Sequence, residues 1–131
     1  MREAGGLLFV SGVSARRADN SVEGASLDSS EAPLLDIRVQ TRAVIENLRI
    51  VLQRARADLD CLLNITAYLA SMDDYAGYNE VYNRYFTASH GPARTTVAVR
   101  SLPGPHLLIE MSAVALAPRG SAGKRAAESQ S

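Results

Sequence analysis

The chain has 131 residues, of which 47% are hydrophobic and 21% charged, a composition typical of one globular domain with a single core. Basic and acidic residues number 14 each, and a formal net charge of zero gives no electrostatic basis for binding nucleic acid or an anionic membrane. The single cysteine, Cys61, excludes an internal disulfide or a cysteine-built zinc site, and the lack of a long apolar run or signal peptide predicts a cytoplasmic protein.

The chain begins with a predicted strand and a long loop. Residues 7–10 form a short apolar run between glycines, which predicts a buried strand. Gly5 and Gly6 predict a hairpin turn before it, with a partner strand of only a few residues. Residues 14–33 are small and polar without any hydrophobic period, so we expect a long loop there, and loops of this length are often functional.

Two amphipathic helices with a strand between them come next. Apolar residues recur every three, four or seven positions over 36–56, which predicts a helix that Asp36 caps. Residues 63–69 alternate with a period of two and predict a strand that begins near Cys61, itself interpreted as a small core residue. Asp73 or Asp74 is the expected cap of a second helix ending near Thr87, whose tyrosine stripe is interpreted as core packing.

The last predicted elements are two strands. Residues 95–99 and 107–116 read as strands around a turn at 102–105, close enough for an antiparallel hairpin. The strand–helix–strand order implies parallel pairing across a helix. Two helices cover only one face of such a sheet, so we expect an oligomer to cover the other. We predict one domain at residues 1–117 and a disordered tail at 118–131.

Two charged residues stand where charge is unexpected. Arg94 follows a rigid Gly-Pro turn at the start of a β-branched strand, and its guanidinium fork suits a carboxylate, although a plain surface arginine is the commoner case. Glu110 interrupts the most apolar strand, where a carboxylate is costly unless it is paired or works as an acid or base. Both interpretations of each residue stay open at this point.

Other polar residues carry weaker signals. Arg16 and Arg17 lie together in the long loop, either as an anion clamp or as solvated charges, and Asn79 reads as a helix-surface amide. His90 and His106 are isolated, and no histidine or carboxylate has the spacing of a metal ligand set. Phosphate-binding glycine motifs are also missing, so we predict neither a metal nor a cofactor.

Several runs together resemble the Rid (YjgF) family over residues 7–116. The runs are Phe9-Val10-Ser11-Gly12, Met72-Asp73-Asp74-Tyr75, Tyr78-Asn79-Glu80-Val81-Tyr82, Gly91-Pro92-Ala93-Arg94-Thr95-Thr96-Val97 and Leu108-Ile109-Glu110. Within that family, Asp36-Ile37-Arg38, Gln40-Thr41-Arg42 and Pro105-His106-Leu107 are most similar to the 2-aminomuconate deaminases of aromatic-compound degradation.

The resemblance implies a fold and a site. It implies an α+β fold like the chorismate mutase of bacilli, a mixed sheet backed by two helices and assembled as a homotrimer with sites between subunits. Arg94 then binds the substrate carboxylate, Glu110 handles water or a proton, and Gly12 and Asn79 line the cleft. Thr96 stands where the familiar deaminases carry a cysteine. We also expect the family segment ahead of the first hairpin to be truncated, which leaves open an incomplete site.

The resemblance further implies cofactor-free hydrolysis of 2-aminomuconate to 4-oxalocrotonate and ammonia. This substrate is a small dicarboxylate, so a second cation is expected from Arg16 or Arg17, with His106 as the runner-up and Thr96 beside the first carboxylate. Two alternatives remain: a general 2-iminobutanoate and 2-iminopropanoate deaminase with the same Arg94 and Glu110, and a non-catalytic trimer that binds small keto acids.

Overall fold

A computed structural model of the protein describes residues 1–26 and 34–118, with seven strands and two α-helices. The strands are β1 (Arg2–Ala4), β2 (Leu7–Ser14), β3 (Ala25–Ser26), β4 (Leu34–Leu35), β5 (Leu62–Leu69), β6 (Ala93–Ala98) and β7 (Ile109–Leu116). The helices are α1 (Ile37–Gln53) and α2 (Tyr75–Tyr85), and short 3₁₀ turns cover Leu59–Cys61 and Met72–Asp74.

Five strands form one mixed sheet in the order β1-β2-β7-β5-β6. The pair β5–β6 is parallel and is joined by α2, which confirms the predicted crossover. The predicted hairpin of the last two strands is wrong, because β5 lies between β6 and β7. The loop that connects β6 to β7 crosses the end of β5. Near its start, the N–H of Val99 donates to the carbonyl of Leu69 at 2.8 Å, and near its end, the carbonyl of Leu108 accepts from the N–H of Ala70 at 2.9 Å.

Both helices pack on one face of this sheet and form the core with it, as the sequence predicted. Alternate residues of β5 and β7 point into the core, and the stripe of α1 meets them. The fully buried large side chains include Leu8, Val44, Ile45, Leu48, Leu52, Ile65, Leu69, Ile109 and Met111. The opposite sheet face leaves apolar side chains in solvent, among them Val97.

The two helices begin differently. Asp36 caps α1 as predicted, since its carboxylate accepts hydrogen bonds from the backbone N–H of Arg38 and Val39 at 3.0 and 3.2 Å. Asp74, one of the two predicted caps, occupies the N-cap position of α2, but its side chain makes no capping bond because the chain enters that helix through a 3₁₀ turn with a cap of its own. Ser71 accepts there from the N–H of Asp73 at 3.1 Å.

The predicted long loop contains structure that its composition hides. β2 continues to Ser14, Arg16 and Val22 form an isolated antiparallel bridge, and β3 pairs with β4. Two-residue strands are too short to show a hydrophobic period, which is why the sequence pattern missed them. Residues 27–33 and the predicted tail from 119 onwards lie outside the described residues.

Cys61, expected at the start of a strand, is half-buried in a 3₁₀ turn against the core.

Candidate functional site

Arg94 lies on the helix-covered side of the sheet, at its β6 edge. It pairs with buried Ile65 of β5, and directly paired residues of neighbouring strands share a face. Its Nη1 donates to Oδ1 of Asn79 at 2.8 Å and is 3.5 Å from the Tyr78 hydroxyl. Its Cζ lies 4.2 Å from the ring centroid of Tyr82, within cation–π range. The guanidinium is therefore held from two sides by α2.

The tyrosines that hold Arg94 belong to an aromatic row along α2. Ring centroids are 5.9 Å apart for Tyr78 and Tyr82, and 4.7 Å apart for Tyr82 and Phe86. All three residues are buried, as expected for core packing. The sequence interpretation missed their contact with Arg94, because a helical period of apolar residues looks the same for a core stripe and for a support beneath a cation.

Thr96 joins the same cluster. It lies two residues after Arg94 on β6, so both side chains point to the same side of the sheet. Its Oγ1 is 2.7 Å from the Tyr78 hydroxyl, which makes one connected group with Asn79 and Arg94. Arg94, Asn79 and Thr96, all predicted site residues, are thus brought together.

The positive charge of this cluster has no counter-ion among the described residues. Half-buried Arg94 forms no ion pair with any residue of the described ranges. Burial raises the pKa of Tyr82 to about 12, with the positive charge of Arg94 opposing that rise, so Tyr82 stays neutral near pH 7. A half-buried cation without a counter-ion is a ready site for an anionic group of a ligand.

Glu110 and Gly12 form a second cluster. Glu110 pairs with Ser14 of β2 and Tyr68 of β5 in the middle of the sheet. A bulge between Val10 and Val13 brings Gly12 so close that a Cβ there would lie 3.1 Å from Oε1 of Glu110. Glycine therefore leaves the space that the carboxyl group occupies. The carboxylate of half-buried Glu110 makes no hydrogen bond or ion pair with another residue in the described part of the chain.

The two clusters lie on opposite faces of the sheet. Arg94 pairs with Ile65, whereas Glu110 pairs with Tyr68, three positions along the same regular stretch of β5. Side chains alternate between faces along a strand, so these two pairs point in opposite directions. Within one chain the sheet backbone separates the guanidinium from the carboxylate.

The two loop arginines differ in their surroundings. Nη2 of Arg16 donates to the carbonyl of Pro103 at 2.8 Å, and Arg16 lines a cleft of about 400 Å³ together with Gly12 and Arg54. Arg17 instead donates to Ser21 within its own loop at 3.1 Å. Arg54, which the sequence interpretation missed, adds a second cation to a cleft that no described carboxylate lines.

The backbone carbonyl of His106 accepts from Gln40 at 2.8 Å, and its Nδ1 is buried without a hydrogen-bond partner among the described residues. Residues 1–26 and 34–118 contain no group of three or more histidine, cysteine or acidic side chains placed to hold a metal ion. In the same ranges no helix combines the length and apolar character that crossing a membrane requires.

The sequence and the fold match proteins of one family. The profile of the family described as Endoribonuclease L-PSP matches residues 1–117. A RutC family protein of Pyrococcus abyssi is 46% identical over 80 residues, 61% of this chain and 61% of the relative, less than two thirds of that relative's length. The mitochondrial protein mmf2 of Schizosaccharomyces pombe is 39% identical over 101 residues, 77% of this chain and 71% of that protein.

Solved structures agree with these matches. Yeast Mmf1 superposes with a TM-score of 0.73 at 28% identity, covering 88% of this chain and 83% of that one. A member of the YjgF protein family from Neisseria meningitidis gives 0.68 at 26% identity, with 88% and 83% covered. The α+β architecture of a mixed sheet backed by two helices is therefore confirmed. The chain belongs to the Endoribonuclease L-PSP family, which also carries the names RutC and YjgF.

Proposed function

We propose that the protein is a cofactor-independent deaminase that hydrolyses an enamine or imine of a small carboxylic acid, and that its main substrate is 2-aminomuconate. The observation that carries this proposal is Arg94, a half-buried guanidinium held by Asn79 and Tyr82 and left without a carboxylate partner in the described chain. A guanidinium fixed in this way is suited to hold the carboxylate next to the reacting carbon.

The proposed reaction uses groups that the chain itself supplies. The enamine takes up a proton from solvent at carbon to give the iminium ion, whose carbon is electrophilic beside a carboxylate neutralised by Arg94. Glu110 accepts a proton from water as the water adds to that carbon, and then returns it to the departing nitrogen. The carbinolamine collapses to a ketone and ammonia as its hydroxyl proton passes to solvent, which balances the proton taken up at carbon. No electrons are gained or lost overall, so no redox cofactor is needed.

The proposed site joins two copies of the chain. Arg94 and Glu110 point away from each other within one chain, so one substrate meets both only where two copies come together. This requirement fits the proposed homotrimer, in which each copy contributes Arg94 to one cleft and Glu110 to the next. Gly12 beside Glu110 leaves room for the carboxyl group to face that cleft.

A dicarboxylate substrate requires a cation for its far end. Arg16 lines the cleft that reaches Gly12, whereas Arg17 is bonded into its own loop. We therefore assign the second carboxylate to Arg16, with Arg54 lining the same cleft. His106 has less support, because it is not among the residues that line this cleft.

Ammonia release tests the proposal. Purified protein is assayed with 2-aminomuconate and with 2-iminobutanoate, each generated in place, alongside Arg94→Ala and Glu110→Gln. We expect hydrolysis by the wild type, a loss of about a hundredfold in kcat/KM for Arg94→Ala, and a fall of 10²–10⁴-fold in kcat for Glu110→Gln. Faster turnover of 2-iminobutanoate identifies the general imino acid deaminase instead.

A non-catalytic role is the second candidate. It is favoured by the separation of the two clusters, since Arg94, Asn79 and Thr96 can hold a carboxylate without Glu110. Binding of 2-oxobutanoate by the wild type but not by Arg94→Ala, with equal and negligible ammonia release by both, would establish a binder and refute the deaminase. Cleavage of RNA without ammonia release would refute both proposals.

A further inference from the structure

The outer side of the helix pair carries a cluster of cations that the proposed reaction does not use. A groove of about 190 Å³ lies between α1 and α2 and is lined by Arg38, Val39, Arg42, Val81 and Arg84. Two arginines come from α1 and one from α2, and none of the described residues that line the groove is acidic. Val81 is buried and gives the groove an apolar floor.

One carboxylate at the rim holds two of these arginines in place. Oε2 of Glu80 accepts from Nε of Arg38, and its Oε1 lies 3.4 Å from Nη2 of Arg84. The hydrogen bond from Arg38 keeps the pKa of Glu80 below its ordinary value, so Glu80 is ionised. A guanidinium has five N–H donors, so Arg38 and Arg84 each keep donors free for another acceptor.

Arg42 has no counter-ion among the described residues. Its guanidinium makes no hydrogen bond or ion pair with any residue of 1–26 or 34–118. Glu46, one helical turn further along α1, bonds Arg49 instead, at 2.9 Å. Three guanidinium groups therefore face one small groove with a single carboxylate between them. Like charges one turn apart on a helix repel, and an anion in the groove would relieve that repulsion.

We propose that this groove binds a phosphate monoester. A monoester phosphate presents three terminal oxygens and about −1.5 to −2 charges near pH 7, which matches three guanidinium groups on two sides of the groove with an excess of two positive charges. A phosphodiester or a carboxylate has two free oxygens and one charge, so it satisfies fewer donors. The floor of Val39 and Val81 accommodates the ester carbon.

The site is independent of the proposed deaminase. It lies on the outer side of the helices, whereas the face that we expect other copies to cover is the opposite side of the sheet. Assembly through that open face therefore leaves the groove accessible. Its residues are also distinct from Arg94, Asn79, Thr96, Glu110 and Gly12.

Backbone amide NMR titration with phenyl phosphate at constant ionic strength tests the proposal. We expect saturable shifts at Val39, Arg42, Val81 and Arg84 in the wild type. Arg42→Gln keeps a long side chain on an exposed helix face and should weaken binding by about tenfold. Arg100→Gln, an exposed arginine on another loop, is the matched control and should bind like the wild type.

The other ligands decide the class of anion. Dimethyl phosphate and acetate should bind at least about tenfold more weakly than phenyl phosphate, because each offers one charge and two oxygens. Inorganic phosphate should bind like the monoester, which identifies the phosphoryl group as the recognised part. Equal affinity of Arg42→Gln and Arg100→Gln, equal affinity for acetate, or no saturable shift at these amides would each overturn the proposal.

Discussion

Tyr82 contacts Arg94 through its ring. Its ring affects the position of Arg94, and its hydroxyl affects the stability of the protein. The ring face attracts the guanidinium, whereas the buried hydroxyl has no hydrogen-bond partner among the described residues. A buried hydroxyl without a partner costs free energy. The ring therefore explains the position of Arg94, and the hydroxyl leaves a signature in the pH dependence of stability.

That signature appears at alkaline pH. Burial raises the pKa of Tyr82 to about 12, above its ordinary value of 10.0. The folded state thus holds the phenolic proton more tightly, so this contribution to stability is complete below pH 10 and is lost as the pH rises from 10 towards 12. In urea unfolding experiments, we expect Tyr82→Phe to remove a slope of about 1.4 kcal/mol per pH unit in that window. An unchanged slope in Tyr82→Phe, judged against the exposed-residue control Tyr75→Phe, would contradict this expectation.

Arg16 and Arg17 form a matched pair of neighbours with different surroundings. Arg16 lines the cleft beside Gly12, while Arg17 bonds Ser21. If the proposed function holds, Arg16→Ala should raise KM for 2-aminomuconate about tenfold and leave 2-iminobutanoate unaffected, because only the former has a second carboxylate. Arg17→Ala should change neither substrate. Steady-state kinetics of both variants on both substrates measure this, and equal losses would refute the assignment.

The sequence pointed to candidate site residues but not to the side chains that support them. Motif runs pointed to Arg94, Asn79, Thr96, Gly12 and Glu110, and the structure brings the first three together and the last two together. The neighbouring Arg16 and Arg17 look equivalent in sequence, and only the fold of their loop separates them. The contact between Tyr82 and Arg94 joins residues of α2 and β6, and no local pattern encodes such a contact.

At the scale of elements, α1 is tied to the loop before β7 by one buried amide. Nε2 of Gln40 donates to the carbonyl of His106 at 2.8 Å, and its Oε1 accepts from the N–H of Leu108 at 2.9 Å. Gln40 has no exposed surface. The side-chain amide of Gln40 therefore supplies to this part of the loop the backbone hydrogen bonds that a neighbouring strand would otherwise make.

Removing that amide should destabilise the whole domain. Gln40→Leu keeps the volume but leaves one N–H and one carbonyl without a partner, at a cost of about 2 to 4 kcal/mol in the free energy of unfolding. Gln53→Leu, on an exposed turn of the same helix, is the control and should change stability by less than about 0.5 kcal/mol. Urea unfolding measures both, and similar losses for the two variants would show that the amide is unimportant.

Elements with a strong local sequence pattern were predicted correctly, whereas the order of the strands in the sheet was harder to predict from the sequence. The stripe of α1 and the cap at Asp36 are written in neighbouring residues. The insertion of β7 between β2 and β5 depends on pairing over long separations, and a short loop between β6 and β7 suggested a hairpin instead. The decisive contacts, such as that between Ala70 and Leu108, lie across the end of β5 and leave no local pattern.

At the scale of the whole molecule, no described element covers one face of the sheet. On that face Phe9 and Val97 are 44% and 38% exposed, which is high for large apolar side chains of a sheet. The same face carries Glu110, whereas Arg94 faces the helices. Packing of copies through the open face would bury the apolar side chains and, in the proposed homotrimer, bring Glu110 to the Arg94 edge of another copy.

Mixed oligomers test this arrangement directly. Arg94→Ala and Glu110→Gln chains are each expected to be inactive as deaminases, and co-expression in equal amounts gives trimers that contain both. In a cyclic trimer whose clefts take Arg94 from one copy and Glu110 from the next, each mixed trimer holds one intact cleft, so activity should return to about a quarter of the wild-type value. Mixing after separate purification, without exchange of subunits, is the control and should restore nothing. A co-expressed sample as inactive as its parents, with mixed trimers confirmed by native mass spectrometry, would show that the two residues do not act across an interface.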